Sequence, residues 1–350
     1  MRTPLQRRAD TAGRRHGTPL RAVLAGGVAL LVSSALGACQ GPATGPAPTS
    51  VVHRVASGHV YVTNQLDGTV SVVDVPEYKV TATVPIGVAP AGVAVAPDGG
   101  HVYVADSGSA EVSVLDTRTN RVVTKVPVGR KPSGLELSPD GRFLYVANGG
   151  SNSVSVLDTR TNRVTASISV GRSPVSLAVS RDGAAAYVAN AGSRNVSVID
   201  TRTHRVVQVL PAGDSPVGVT VTRDGRSLYV ADEVAASISV VGTRAGALTQ
   251  SVPVGEGPFD VAIGPDGQRA YVAVLGPGKV SVIDTRAHRV TATASLGPPG
   301  TDPFNIAVTS DAVYVTEQAA DTLTVLDPTT LQVLASVPVG NSPYGVATSQ

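Results

Sequence analysis

The residues in this chain that could hold a ligand are those that break its regularity, and three of them are aromatic. Phe259, Phe304 and Tyr344 each follow a proline, in a chain with 3 Phe, 9 Tyr and no Trp. At the equivalent place in earlier segments stand Ala91, Ser133, Val175 and Val217. Carboxylates accompany the aromatics: Glu256, Asp260 and Asp302 flank the two phenylalanines, with Asp214 just upstream, while Arg130, Lys131 and Arg172 occupy the corresponding earlier loops. Rings stack on the apolar faces of sugars and peptides, and carboxylates accept hydroxyl or amine donors. Phe259, Phe304, Tyr344, Asp260, Asp302, Glu256 and Glu317 are therefore expected to form a binding surface for a carbohydrate or protein partner. The competing expectation is that the aromatics only fill space between packed elements.

Catalytic signatures are missing. His16, His53, His59, His101, His204 and His288 have no metal-ligand spacing. There is neither a glycine-rich phosphate loop nor a G-x-S-x-G elbow. No cofactor is expected, and a non-enzymatic role is preferred over an enzymatic one. The alternative is a lactonase-like hydrolase or lyase with a metal at a channel mouth, for which Asp106, Asp232, Asp260 and Glu317 are the available ligands. That alternative rests on fold analogy alone.

The elements that position these residues recur. Tyr-Val occurs at Tyr61, Tyr103, Tyr145, Tyr187, Tyr229, Tyr271 and Tyr314, at intervals of 42 residues and, for the last, 43. A period of this length points to a propeller or another repeat array. One unit, from Pro132 to Gly171, reads as four short strands: Gly134–Leu137, Phe143–Ala147, Val154–Leu157 and Val164–Val170. Ser-Pro-Asp-Gly and Asp-Thr-Arg-Thr-Asn supply the turns. The hydrophobic share of 42% is mostly Val, Ala, Leu and Ile, and 37 Gly and 25 Pro supply the turns. The expected fold is all-β: a single seven-bladed β-propeller, four antiparallel strands per blade. One such blade has two apolar faces and can bury both only between neighbours.

The recurrent Asp74, Asp116, Asp158, Asp200, Asp284 and Asp327, and Asp98, Asp140, Asp182, Asp224 and Asp266, are expected to bind backbone N–H groups in turns. Arg118, Arg160, Arg202, Arg244 and Arg286 in those turns read as a solvated ring. The repeats open at a second-strand position, His59-Val60-Tyr61, and end on a first strand, Pro343 to Thr348. The ring is therefore expected to close by pairing the N- and C-terminal strands.

With the repeat laid out, Tyr61-Val62-Thr63-Asn64, Tyr145-Val146-Ala147-Asn148 and Tyr187-Val188-Ala189-Asn190 resemble the YVTN β-propeller repeat family of exported bacterial and archaeal proteins. The downstream V-S-V-I/L-D-T-x-T pattern agrees, as at Val154 to Thr161 and Val196 to Thr203. The resemblance covers residues 59–350 and implies fold and extracytoplasmic location, not chemistry. WD40 repeats are a poorer match, since the chain has no Trp.

Residues 1–38 read as a removed signal: six arginines, an apolar run from Ala22 to Ala38, then Leu36-Gly37-Ala38-Cys39. That tetrad resembles the lipobox of bacterial lipoproteins, which implies a diacylated Cys39 anchoring an exported domain to the outer face of the cell membrane. Arg14-Arg15 leaves the general and twin-arginine export routes both open. Residues 39–58 read as a Pro/Gly-rich tether and 59–350 as the propeller. Removing the signal takes Lys+Arg from 28 to 22 and Asp+Glu from 26 to 25, so the formal charge moves from +2 to −3. The basicity belongs to the targeting segment, no nucleic-acid partner is expected, and the domain is expected to be a monomer.

Overall fold

A computed structural model describes residues 58–297 and 300–349. Residues 1–57, and with them the signal, Cys39 and nearly all of the tether, lie outside the described residues. Those described form seven four-stranded antiparallel sheets and contain no helix. Blade 2 is the pattern for the rest: Pro90–Val95 innermost, then His101–Asp106, Glu111–Asp116 and Arg121–Pro127 outermost.

The burial of each strand follows from its radius. Val102 to Ala105 of the second strand and Val112 to Leu115 of the third are all buried, because both faces of a middle strand meet a neighbouring blade. The outermost strand, Arg121–Pro127, alternates exposed and covered residues at the rim. Seven separate clusters of Val, Leu, Ile, Ala and Tyr result, each spanning two adjacent sheets. A β-bulge recurs between third and fourth strands, at Val114/Leu115 and its six equivalents, adding local twist.

The recurrent tyrosine joins blades. The Tyr271 hydroxyl donates to the Pro328 carbonyl of the next blade at 2.8 Å, and the Tyr229 hydroxyl donates to the Thr285 carbonyl at 3.1 Å. The buried ring wedged between sheets is common to all seven tyrosines and explains why this position is the most regular in the sequence; the bond to a neighbour's turn is added at Tyr229 and Tyr271, whereas the Tyr145 hydroxyl has no partner. The recurrent aspartates cap turns as their spacing implies. Asp116 accepts from the N–H groups of Arg118 and Thr119 at 3.0 and 2.9 Å, and Asp140 accepts from Arg142 at 3.1 Å. Arg118, Arg160, Arg202, Arg244 and Arg286 are exposed.

Blade 1 is assembled from both ends of the repeat region. Its three outer strands are His59–Asn64, Thr69–Asp74 and Lys79–Pro85, and its innermost strand is Pro343–Thr348. Val62 pairs with Val346 and Val60 with Thr348. Thr63 ties this blade to the next, its hydroxyl donating to the Ala91 carbonyl at 2.6 Å and accepting from the Gly345 N–H at 2.7 Å.

Candidate functional site

The innermost strands of blades 2 to 7 begin at Pro90, Pro132, Pro174, Pro216, Pro258 and Pro303, and that of blade 1 at Pro343. The residue before each proline, from Ala89 and Lys131 round to Asp302 and Ser342, has a positive φ, which turns the chain sharply inward. The pairing with the second strand then slips just after the proline: Pro258 faces Val274 while Asp260 faces Ala273, leaving Phe259 as the extra residue. A bulge of this kind re-aims side chains. It turns Phe259, and by the same construction Phe304 and Tyr344, toward the end of the central channel.

There the three rings meet. Phe259 and Phe304 lie 3.7 Å apart between centroids, Phe304 and Tyr344 4.7 Å, and Phe259 and Tyr344 6.1 Å in an edge-to-face arrangement. They are half-buried. The expected arc is thus a mutually stacked cluster rather than three separate platforms, and part of each ring remains open. Phe259 and Tyr344 also border a 40 Å³ constriction with Val175, Val217, Asp260 and Asn305.

Asp260 lies directly beneath the cluster. Its carboxylate accepts from its neighbour Val261 N–H at 2.9 Å and from Ile306 N–H of the next blade at 3.1 Å. Enclosure nevertheless outweighs those two donors and pushes its carboxyl up to about 6. The same enclosure, with the Asp260 charge second, raises the Tyr344 phenol well above its ordinary value. Asp302 is half-buried and Glu256 exposed in the adjoining loops. The charge segregation of these loops is interrupted at one place, where Arg194 and Asp214 pair at 2.9 Å.

Glu317 does not join this surface. It is 3% exposed at the end of a second strand and accepts the Thr324 hydroxyl of its own blade. Asp106 and Asp232 occupy equivalent buried positions: Asp106 accepts from the Ser113 hydroxyl at 2.6 Å, with Lys125 3.9 Å away, and Asp232 accepts from the Gly213 N–H at 3.0 Å. Asn64, Asn148 and Asn190 do the same work elsewhere, each donating to a third-strand Ser hydroxyl at 2.9 Å. The four-carboxylate metal set is thus dispersed, three of its members each buried in a different blade. Among the described residues no group of three or more His, Cys, Asp or Glu side chains is placed to hold an ion. The last side chain of a second strand turns beneath its loop instead of onto the face.

Sequence reasoning passed over Glu136. It sits in the innermost strand Pro132–Leu137, and its side chain enters the channel. Its side chain is exposed to the water of the channel, which the ring of blades confines, and confined water solvates charge less well than bulk water. Its carboxyl is pushed up to about 7, chiefly by this desolvation and then by the charge of Asp260. The available signal was positional: Ala94, Ala178, Ala262, Ala307 and Ala347 fill the same place in other blades.

These shifts set the pH response. Glu136 near 7, Asp260 near 6 and Asp232 near 6 all have folded values above their unfolded ones, so their ionisation opposes folding. Stability should rise as pH falls from 8 through these values. Asp140, Asp182 and Asp224 are held below the ordinary carboxylate value by Ser or Thr hydroxyls, and their contribution is lost only in stronger acid. Thermal unfolding across pH should therefore show a maximum at about 4 to 5, near the unfolded carboxylate values, with a lower Tm at pH 8 and at pH 2. A Tm that climbs steadily from pH 5 to 8 would contradict this assignment.

A radial ring of four-stranded blades about a narrow polar channel defines the class, a seven-bladed β-propeller repeat protein. The chain belongs to the YNCE-like β-propeller family, whose sequence model matches residues 19–148 and 135–225. Solved structures give the same fold. A chain of Kuenenia stuttgartiensis hydrazine synthase superposes with a TM-score of 0.70 at 24% identity, covering 82% of this chain and 100% of that one. A functionally unknown protein from Desulfotomaculum acetoxidans gives 0.72 at 17%, covering 84% and 99%. The dihydro-heme d1 dehydrogenase NirN gives 0.65 at 18%, covering 86% and 77%. No curated protein matches the chain. At these identities the likeness is one of fold.

Proposed function

We propose that this chain is an exported lipoprotein of the YVTN repeat kind, held to the outer face of the cell membrane through acylated Cys39. Its propeller is a monomeric, non-enzymatic binding scaffold. The partner is a protein or carbohydrate of the cell envelope, engaged by the mouth of the channel. The observation that carries this reading is the half-buried cluster of Phe259, Phe304 and Tyr344, with Asp260 beneath it and Asp302 and Glu256 beside it. Aromatic surface next to carboxylates suits a polyhydroxyl or peptide ligand. The lipobox-like Leu36-Gly37-Ala38-Cys39 supports the anchoring.

Two measurements test the two halves. Detergent phase partition of the expressed full chain should place it in the membrane phase, and Cys39→Ser should move it to the aqueous phase; equal partition would remove the anchor. Binding to immobilised purified peptidoglycan and to a defined glycan and peptide array should fall at least tenfold in Phe304→Ala and in the double variant Glu256→Gln/Asp302→Asn. The second variant changes only loop charges and guards against misfolding of the first. Retention of every wild-type contact by both variants would refute a mouth-face site.

A further inference from the structure

Two places in each innermost strand border the channel. The third residues are Gly92, Gly134, Ser176, Gly218, Asp260, Asn305 and Gly345, and the fifth are Ala94, Glu136, Ala178, Thr220, Ala262, Ala307 and Ala347. The rule at these places is Gly or Ala. Five residues break it: Glu136, Ser176, Thr220, Asp260 and Asn305. All five line one cavity of about 320 Å³ inside the ring.

That cavity carries two carboxylates and neither lysine nor arginine. Asp260 is fixed by its two backbone donors, whereas Glu136 makes neither a hydrogen bond nor an ion pair and is exposed to the channel. Two carboxylates that line one cavity with no cation among its other lining residues repel each other. Nothing in the packing requires it, since Ala serves in five other blades.

We propose that the channel is a binding site for a small organic ammonium ion, held between the carboxylates of Glu136 and Asp260. The remaining polar lining, Asn305, Ser176 and Thr220, offers oxygen acceptors to N–H donors. Between these groups the walls are aliphatic, with Leu135, Leu177, Val219 and Ile263, and suit an alkyl chain. The rings of Phe259 and Tyr344 border the constriction and present π surface to a cation. The volume lies at the small end of ligand sites. A divalent metal fits less well: both Asp260 oxygens already accept backbone N–H groups, and among the described residues no group of three or more His, Cys, Asp or Glu side chains is placed to hold an ion.

The site lies within the channel, beneath the mouth face, and does not depend on a macromolecular partner there. Binding requires ionised carboxylates, so it should strengthen from pH 6 to pH 8. Asp260 is the charged group acting on Glu136, and Tyr344, facing Asp260, stays protonated over this range.

The test is calorimetric titration of the full chain at pH 8 with n-butylammonium chloride, against n-butanol and calcium chloride. The ammonium ion should bind saturably with a Kd on the order of 1 mM or tighter, and the alcohol should give no binding heat. Glu136→Gln should weaken the ammonium at least tenfold. Because Glu136 contacts no partner, this variant is expected to fold, and circular dichroism checks it. Asp260→Asn should weaken binding too, while Glu256→Gln/Asp302→Asn should leave it unchanged, which separates the channel from the mouth face. No saturable ammonium binding, an unchanged Kd in folded Glu136→Gln, or displacement of the ammonium by stoichiometric calcium would each overturn the proposal.

Discussion

Deleting Pro343 to Gln350 should abolish cooperative unfolding of the propeller. The deletion removes the innermost strand of blade 1 and leaves the hydrogen-bonding edge of His59–Asn64 open toward the channel. It also removes the Gly345 N–H that Thr63 accepts and the Tyr344 carbonyl to which Thr316 donates at 2.8 Å, so contacts fail on both sides of blade 1. A native domain holds only about 5–15 kcal/mol of net stability, less than the loss of a whole strand with its ladder and its contacts to both neighbouring blades. The truncated chain should show no sigmoidal transition in urea by circular dichroism and should elute as aggregate. A truncated protein that unfolds cooperatively with nearly full-length stability would mean that the ring does not need its clasp.

The second large effect lies at the axis. Seven innermost strands converge there, and at the third residue of four of them there is no room for a side chain. A Cβ on Gly92 would stand 2.3 Å from the Ser133 carbonyl oxygen, and one on Gly345 2.5 Å from that of Ala91. The obstacle is backbone belonging to the next blade, which cannot rotate aside. Gly92→Ala should therefore cost about 3 kcal/mol, the upper end for overpacking. Gly99→Ala is the comparison: its Cβ would meet nothing, and only its positive φ of 69° resists, so about 1 kcal/mol is expected. Urea midpoints of the two variants decide the matter. Equal effects would show that the strands are not crowded at the axis.

That crowding also explains what could and could not be read from the residues alone. The regular features were legible because repetition averages over local accident: Tyr61 to Tyr314 fixed the number of blades, and the turn aspartates declared their role through their spacing. The closing pair was legible because the repeats open at His59 without a first strand and end on one, Pro343 to Thr348. Phe259, Phe304 and Tyr344 could be placed together because each follows the same proline, though not that they would stack on one another, which depends on ring packing at a narrow mouth. Glu317 was expected on the binding surface, and Asp106 and Asp232 with it at a channel mouth, because a linear pattern does not reveal that a second strand's last side chain turns beneath its loop. Glu136 escaped notice because Gly-Leu-Glu-Leu looks like any strand with one wet face. Its meaning depends on the wet face being the inside of a closed ring, where its neighbours are alanines.

The channel is the chemically distinctive part of the molecule. Blade faces, turns and rim follow the repeat, and the departures converge on the axis. Asp260 belongs to both features, accepting backbone donors from two blades while its charge reaches Glu136 and Tyr344.

The most direct test of that convergence is a site-resolved titration of Glu136 by carboxyl-carbon NMR, in the wild type and in Asp260→Asn. The account predicts a Glu136 value of about 7 that falls when the Asp260 charge is removed. A Glu136 that titrates near the ordinary 4.5 and ignores the substitution would contradict it.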